Sequence, residues 1–175
     1  ALLARDDVDG VVIAAETSLH ADLVEQAAAA GKPIALQKPM ALTMAEADRI
    51  AAAVASADVP FTMAWQMRVD PQNRRIRDLL AEGVLGKLYM VRRRHGLPFL
   101  FRDDAAESWH TQAKWNRDLW ADDAAHPVDF IYWLLGMPET VTAELATLRD
   151  PRTPNDNGIA VYRYAEGPLA EVCCA

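Results

Sequence analysis

A lysine followed directly by a proline ends a short apolar stretch in the first quarter of the chain. Pro33 to Leu36 has the composition of a β-strand, and Lys38-Pro39 follows it after Gln37. Because a chain cannot pass smoothly through Lys-Pro into a helix, the strand ends there and presents an amine at its carboxyl end. In open parallel sheets, ligands bind at that end. Lys38 is therefore a candidate ligand-binding residue; the simpler alternative is a surface lysine beside a loop proline.

A second group of side chains that could do chemistry lies in the last third of the chain. If its segment is one helix, Asp122, His126 and Asp129 share a face, at positions i, i+4 and i+7. Pro127 prefers the first turn of a helix, so the helix could instead begin near Ala124, with Asp122 just before it. Either geometry can direct a carboxylate and an imidazole into one cleft.

An aspartate, a histidine and a lysine together could remove a proton from a hydroxyl group. The imidazole would act as the base, the carboxylate would orient it, and the ammonium group would stabilise the alkoxide. The alternative is that Asp122 caps a helix and that His126 is a buried histidine with satisfied hydrogen bonds. The residues alone leave both interpretations open.

The first 65 residues alternate between strand and helix patterns. Thr43 and Glu46 have the spacing of a capping box, which opens the second helix. Alternating strands and helices with short links indicate a parallel sheet with right-handed crossovers, which is half of a doubly wound nucleotide-binding fold. The predicted elements are strands at 11–15, 33–37 and 60–65 and helices at 18–30 and 43–57.

The pattern changes after Trp65, where we expect a domain boundary. Asp70-Pro71 is typical of an N-cap followed by proline at the first helical position. The later elements indicate an α+β domain with a mainly antiparallel or mixed sheet. They are helices at 70–82 and up to 135, and strands at 88–95, 139–148, 158–164 and 168–174.

A polar loop is predicted between about residues 96 and 119, and large aromatic side chains are unusually dense in and beside it. They are Trp109, His110, Trp115 and Trp120. Loops of this length tend to be functional or disordered. Indole rings suit a sugar-like ligand, although packing onto the domain explains them equally well.

The composition is that of a globular protein, with 51% hydrophobic and 25% charged residues among 175. The net charge of −7 argues against a nucleic-acid partner, since no basic stripe is available for phosphates. The adjacent Cys173 and Cys174 favour a reducing cytoplasm. No apolar stretch approaches the roughly 20 residues that cross a bilayer. Because residues 1–4 resemble the end of a helix, we expect an internal piece of a longer enzyme.

Three short motifs occur in order along the chain. They are Ala14-Ala15-Glu16-Thr17-Ser18-Leu19-His20, Gln37-Lys38-Pro39 and Asp122-x-Ala124-x-His126-x-x-Asp129. Together they resemble the glucose–fructose oxidoreductase, inositol dehydrogenase and rhizopine-catabolism (Gfo/Idh/MocA) family of nicotinamide-dependent oxidoreductases. The similar family motifs are Ala-Thr-Pro-Asn/Thr-x-x-His, Glu-Lys-Pro and Asp-x-Gly-x-His-x-x-Asp. The likeness extends over nearly all of the chain in the same order and spacing.

The resemblance implies a fold, a cofactor and a reaction. Residues 1–65 would be the C-terminal half of a Rossmann domain, and residues 66–175 an incomplete substrate-binding domain whose open sheet forms dimers or tetramers. NAD or NADP would be the cofactor. A hydride would pass between the nicotinamide and a CH–OH carbon of a sugar, cyclitol or related polyol. We expect no nucleic acid, membrane or metal partner.

The resemblance also implies roles for individual residues. Lys38 would contact the substrate hydroxyl and the nicotinamide ribose, His126 would accept the proton, and Asp122 would help to hold substrate and base. We also expect the Lys38–Pro39 peptide bond to be cis. The residues expected at the cofactor are Thr17, His20, Gln37, Lys38 and Pro39, and those at the substrate are Lys38, Arg68, Trp109, Trp120, Asp122 and His126.

The chain departs from the family's motifs at three places. Gln37 replaces a glutamate, which removes a charge beside the ribose but keeps an amide that can form hydrogen bonds. Ala15-Glu16 replaces Thr-Pro, which changes the turn near the cofactor, and Ala124 replaces glycine, which adds a methyl group to the cleft floor. The Gly-x-Gly-x-x-Gly turn that binds the pyrophosphate would lie upstream of Ala1. We therefore expect this piece alone to bind dinucleotide poorly.

Two other functions remain as alternatives. The changes at Gln37 and Glu16 are compatible with a sugar- or dinucleotide-sensing regulatory protein that keeps the fold without turnover. A metal-dependent sugar isomerase could use His95, His110 and His126, but no two of these histidines have the spacing of metal ligands. The retained lysine, aspartate and histidine favour the oxidoreductase.

Overall fold

The structure is a computed structural model that describes residues 2–96 and 98–175, apart from the side chain of Phe99. Ala1, in the predicted helix end, and Leu97, in the predicted loop, lie outside the described residues. The chain forms two compact units, Ala1–Ala64 with Ala113–Arg117 and Trp65–Gln112 with Asp118–Ala175. Within the described ranges, no helix is long and apolar enough to cross a membrane.

The first unit contains a three-stranded parallel sheet whose strands are connected by helices. In chain order these elements are β1 (Val11–Ile13), α1 (His20–Ala29), β2 (Ile34–Leu36), α2 (Met44–Ala57) and β3 (Phe61–Met63). The strand order is β1-β2-β3, and both pairs are parallel. The predicted alternation of strand and helix around a parallel sheet is thus confirmed.

The core of the first unit is aliphatic. Val24, Leu36 and Ile50 are fully enclosed, and Ala27 and Ala28 complete the apolar face of α1 that helical spacing predicts. Burial of a large aliphatic side chain contributes roughly 1.5–3 kcal/mol relative to exposure. This packing holds the carboxyl ends of β1 and β2 side by side.

Two helices begin with the caps that the sequence predicts. Thr43 Oγ1 accepts a hydrogen bond from the N–H of Glu46, and the Glu46 carboxylate accepts one from the N–H of Thr43, which is a complete capping box. Asp70 accepts hydrogen bonds from two N–H groups in the first turn of the next helix, which starts at Pro71. Both predictions are confirmed.

The second unit contains a four-stranded mixed sheet against which one helix packs. From residue 66 the elements are α3 (Pro71–Ala81), β4 (Met90–His95), α4 (Ala113–Asn116), α5 (Leu119–Asp123), α6 (Ala125–Leu135), β5 (Thr140–Ala146), β6 (Asn157–Arg163) and β7 (Leu169–Cys174). The strand order is β4-β7-β6-β5. Only β4 and β7 pair in parallel, so the predicted mainly antiparallel sheet is confirmed.

The prediction of an irregular loop between residues 96 and 119 is wrong for much of this segment. It contains three 3₁₀ turns, at Pro98–Phe101, Ala105–Glu107 and Trp109–Thr111, and the short helix α4. Single turns of this kind are stabilised by local hydrogen bonds and have no hydrophobic periodicity to detect. Trp109 and Trp115 therefore lie in regular structure.

Helix α4 belongs to the first unit, whereas the predicted second domain contained all of residues 66–175. A buried hydrogen bond connects α4 to the rest of the first unit. Thr17 Oγ1 donates to Asn116 Oδ1 at 2.5 Å, and both residues are almost completely enclosed. The first unit therefore draws on two separate stretches of the chain.

A buried carboxylate organises the connection between β5 and β6. Asp156 accepts hydrogen bonds from the N–H groups of Leu148, Arg149 and Asp150, at 2.8, 2.8 and 3.2 Å, and from the Asn157 amide at 2.8 Å. Burial alone would raise the pKa of Asp156, but these hydrogen bonds outweigh it and lower the pKa below its ordinary value. The carboxylate thus fixes the shape of the connection.

Replacing Asp156 with asparagine should destabilise the protein by about 2–3 kcal/mol at neutral pH, because three main-chain N–H groups lose a charged acceptor. Since the pKa of Asp156 is lowered in the folded state, its contribution is present above the unfolded pKa, near about 4, and is lost as the pH falls through the folded value. The difference between wild type and D156N should therefore shrink below about pH 4. Urea unfolding at a series of pH values measures this.

Asp104→Asn provides the matched control for this prediction. The Asp104 carboxylate is exposed and bonds to Arg102, so its loss should leave the unfolding midpoint nearly unchanged. Equal effects of D156N and D104N would show that the network around Asp156 does not stabilise the fold.

Candidate active site

Lys38 lies where the main-chain ladder of the parallel sheet ends. The N–H of Gln37 still bonds to the carbonyl of Ile13, and the side-chain oxygen of Gln37 then accepts a hydrogen bond from the N–H of Lys38 at 3.1 Å. The Lys38–Pro39 peptide bond is cis, as expected. Gln37, Lys38 and Pro39 are half-buried, so a ligand at this edge of the sheet can reach them.

His20 connects the two turns that follow β1 and β2. Its ring is only 1% exposed. Its Nε2 lies 3.1 Å from the carbonyl oxygen of Ala15, and its Nδ1 lies 3.0 Å from that of Pro39 and 3.3 Å from that of Met40. The imidazole therefore lies in the interior, where its hydrogen bonds hold the Lys38 turn beside the turn after β1.

The five residues predicted to contact the cofactor all lie at the carboxyl ends of β1 and β2 in the first unit. They are Thr17, His20, Gln37, Lys38 and Pro39. Thr17 and His20 are buried and bond to neighbouring protein groups, whereas the other three are partly accessible. The structure thus separates two residues that support this edge of the sheet from three that a ligand can reach.

In the second unit, the chain around His126 forms two helices that meet at Ala124. The N–H of Ala124 bonds to the carbonyl of Trp120 in α5, and the N–H of Val128 bonds to the carbonyl of Ala124 in α6. Pro127 has no N–H and occupies the first turn of α6, as the second of the two predicted geometries requires. Asp122 accordingly precedes the helix that contains His126.

Asp122 does not cap a helix, so that part of the alternative interpretation is wrong. Asp118 caps α5 instead, through a hydrogen bond from the N–H of Ala121 at 2.6 Å. The Asp122 side chain is only 2% exposed, and its Oδ2 accepts a hydrogen bond from His110 Nδ1 at 2.7 Å. The ring of Trp109 stacks on the His110 ring, with centroids 3.7 Å apart.

His126 is the second residue of α6 and is 7% exposed. Its ring lies beside that of His95 at the end of β4, with centroids 5.8 Å apart and the planes tilted by 47°. Two further histidines thus contact the motif residues, since His95 lies beside His126 and His110 bonds to Asp122.

Arg68 forms a two-bond ion pair with the last aspartate of the motif. Its Nε and Nη2 donate to the Asp129 carboxylate at 2.9 and 2.5 Å. The Asp129 side chain is 6% exposed and that of Arg68 is 33% exposed. The hydrogen bond to Asp129 raises the pKa of the guanidinium above its ordinary value. This pair fixes Arg68 against α6, one turn after His126.

The two tryptophans predicted to contact substrate have different surroundings. Trp109 is half-buried and stacks on His110. Trp120 packs into the cluster between α6 and the sheet, so close to β6 that a side-chain carbon at Gly158 would overlap its indole. For Trp120, packing onto the domain explains the aromatic side chain.

Sequence reasoning missed the contacts made by His95, His110 and Asn116. Among the described residues, no group of three or more histidine, cysteine, aspartate and glutamate side chains is arranged to hold a metal ion. Burial raises the pKa of the nearby Cys174 thiol to about 12, so this thiol is not a nucleophile at neutral pH.

Comparison with protein families gives two matches that together cover most of the chain. Residues 1–65 match a family described as an oxidoreductase family with an NAD-binding Rossmann fold. Residues 73–175 match the GFO/IDH/MocA C-terminal domain.

Individual relatives agree with these matches. The chain is 32% identical to the inositol 2-dehydrogenase of Rhizobium meliloti over 154 residues, 86% of this chain and 44% of that protein. It is 32% identical to the NADP-dependent D-xylose 1-dehydrogenase of Haloarcula marismortui over 176 residues, 98% of this chain and 49% of that protein. The chain spans about half the length of the curated relatives it matches, for example 42% and 45%.

Solved structures show the same fold. The WlbA dehydrogenase from Bordetella pertussis, crystallised with NADH and UDP-GlcNAcA, superposes with a TM-score of 0.85 at 28% sequence identity. The match covers 98% of this chain and 50% of that one.

Replacing His20 with phenylalanine should destabilise the first unit by about 2 kcal/mol, because the ring shape is kept while the hydrogen bond that the imidazole N–H donates to a turn carbonyl is lost. His20→Gln, which retains one donor, should recover part of this loss. Urea unfolding measures the change in stability, and amide hydrogen exchange at Lys38 and Met40 reports whether the turn loosens. If H20F is as stable as wild type, the imidazole does not hold these turns together.

Proposed function

Because the chain belongs to the Gfo/Idh/MocA family of oxidoreductases, we propose that the full-length protein is an NAD(P)-dependent dehydrogenase acting on a sugar, cyclitol or related polyol. The curated relatives named inositol 2-dehydrogenase and D-xylose 1-dehydrogenase support this substrate class. In this proposal, residues 1–65 contribute to nucleotide binding and residues 66–175 to substrate binding.

One observation supports the proposal above the others: Lys38 lies two residues after the end of β2, at the edge where parallel sheets bind ligands. The residues there fit a nicotinamide nucleotide. Gln37 and Lys38 are reachable and polar, and the Lys38 ammonium can donate to ribose and substrate hydroxyls. When bound, the cofactor supplies the hydride chemistry, and the protein positions the substrate and moves the proton.

Three residues would handle the proton of the substrate hydroxyl. His126 accepts it, Lys38 stabilises the developing alkoxide, and the Asp122 carboxylate holds the substrate and the base. Arg68 and Trp109 would contribute to substrate binding. Asp122 and His126 are both buried and lie in the adjoining helices α5 and α6, which meet at Ala124.

The proposal includes the place and the assembly in which the protein works. Cys173 and Cys174 are both free thiols, which fits a reducing cytoplasm. We propose that copies of the protein associate through the face of the four-stranded sheet opposite α6. Exposed apolar side chains occur on that face, and such surfaces mark interaction sites. They are Met90, Ile159, Val161 and Leu169.

Lys38→Ala and His126→Ala in the full-length protein should each slow turnover by ~10²–10⁴-fold, the usual contribution of general acid–base catalysis. Nicotinamide absorbance, followed with a panel of sugars and polyols, measures the rate. Lys87→Ala is the matched control, because this lysine is exposed and lies outside the site. A near-normal rate in purified K38A or H126A would show that the replaced residue does not have the catalytic role proposed for it.

Nicotinamide absorbance, combined with a calorimetric binding measurement, distinguishes an enzyme from a sensor. Calorimetric binding of dinucleotide and polyol without any change in nicotinamide absorbance would identify a regulatory protein instead. This outcome would agree with the replacement of the family's glutamate by Gln37, whose side-chain oxygen accepts a hydrogen bond from the N–H of Lys38.

Val161→Glu should shift the protein toward the monomer, because it places a charge in the middle of the exposed face of the sheet. Sedimentation velocity measures the distribution of assemblies. Val84→Glu makes the same change at an exposed position outside the sheet and should leave the distribution unchanged. Equal assembly of V161E and wild type would place the interface elsewhere.

A further inference from the structure

We propose that His110 is a positioning residue for the dehydrogenase reaction. It holds the Asp122 carboxylate in the orientation in which Asp122 contacts the substrate and the base. This inference rests on the proposed function, because the role of Asp122 belongs to that proposal. None of the three sequence motifs includes His110.

The first support is the contact itself. His110 Nδ1 donates to Asp122 Oδ2 at 2.7 Å, a short bond of the kind formed by charged acceptors. The Asp122 side chain is 2% exposed, and a buried carboxylate is stable only when hydrogen-bond donors compensate for its lost solvation. Because Oδ2 is directed at His110, the direction of Oδ1 is set as well.

The second support is that His110 is itself held in place. It is the middle residue of the 3₁₀ turn Trp109–Thr111, whose first turn is capped by Ser108 Oγ. The buried Thr111 hydroxyl bonds to the carbonyls of Ala105 and Ser108, both at 2.9 Å. The Trp109 ring covers the imidazole on one face. A ring with these restraints can impose a direction on its partner.

The third support is chemical. The contact with Asp122 uses the same nitrogen whether His110 is neutral or charged, because Nδ1 carries a hydrogen in both forms. The carboxylate therefore fixes the tautomer of the imidazole, and the imidazole fixes the rotamer of the carboxylate. Misplacing a catalytic group by about 1 Å can cost ~10²-fold in rate. We therefore expect the contact to affect turnover more than substrate binding.

Two substitutions in the full-length protein separate this role from simple packing. His110→Phe keeps an aromatic ring to stack on Trp109 but has no donor. His110→Asn loses the ring but places an amide N–H near the position of Nδ1. We expect H110F to lower kcat by ~10–100-fold with a smaller change in KM, and H110N to recover most of that loss. Thermal unfolding of both variants shows whether they are folded.

The opposite order would overturn the inference. If H110F is active and H110N is not, His110 serves only to pack against Trp109. If both variants keep wild-type kcat, the contact with Asp122 has no part in catalysis.

A measurement without turnover distinguishes failure of this inference from failure of the proposed function. The His110 Nδ1–H proton, bonded to a carboxylate, should give a downfield ¹H resonance that moves in Asp122→Asn and is absent in H110F. If that resonance behaves as expected but no polyol changes nicotinamide absorbance, the proposed function fails and the catalytic role of His110 fails with it. If turnover is present and H110F is unimpaired, this inference alone fails.

Discussion

Buried polar groups need hydrogen-bond partners, and in the first unit one buried imidazole lies between the main-chain carbonyls of two turns. His20 places one ring nitrogen beside the turn after β1 and the other beside the turn after β2. A neutral imidazole has a single N–H, so it donates to one of these turns at a time, and loss of such a buried hydrogen bond costs about 1–3 kcal/mol. The position of Lys38, which directly precedes Pro39, depends on that turn. A buried residue thus helps to set the geometry of the partly accessible Lys38.

The same rule holds in the second unit, where several of the buried polar groups are carboxylates. Asp118, Asp122, Asp129 and Asp156 are each enclosed, and each accepts hydrogen bonds from a specific donor group. Three of these carboxylates shape the fold, as a helix cap, an ion-pair partner and the centre of a turn. Burial of a carboxylate is costly unless it is compensated, so each partner also restricts the rotamer. Asp122 is the one to which we assign a role in the proposed reaction.

Much of the fold could be predicted from the sequence, because its strands and helices have clear periods and caps. The capping box at Thr43 and the motif lysine are local signals, and short-range physics determines them. The contacts that complete the site are not local. The partners of Asp122, Arg68 and Thr17 lie 12, 61 and 99 positions away, without any common period. The 3₁₀ turns before α4 are too short for an amphipathic pattern, so a loop was the natural prediction there.

The chain leaves the first unit at Ala64, returns to it at Ala113 and leaves it again after Arg117. The family match for the nucleotide-binding part ends at residue 65, before this return. A gene segment cut at that boundary would therefore encode a sheet whose Thr17 hydroxyl had lost its Asn116 partner. An exchange of the first unit between relatives, in evolution or in the laboratory, would therefore also have to transfer Ala113–Arg117. These five residues lie between the two stretches of the chain that form the second unit. The first unit is compact in space but is encoded by two separate stretches of the chain.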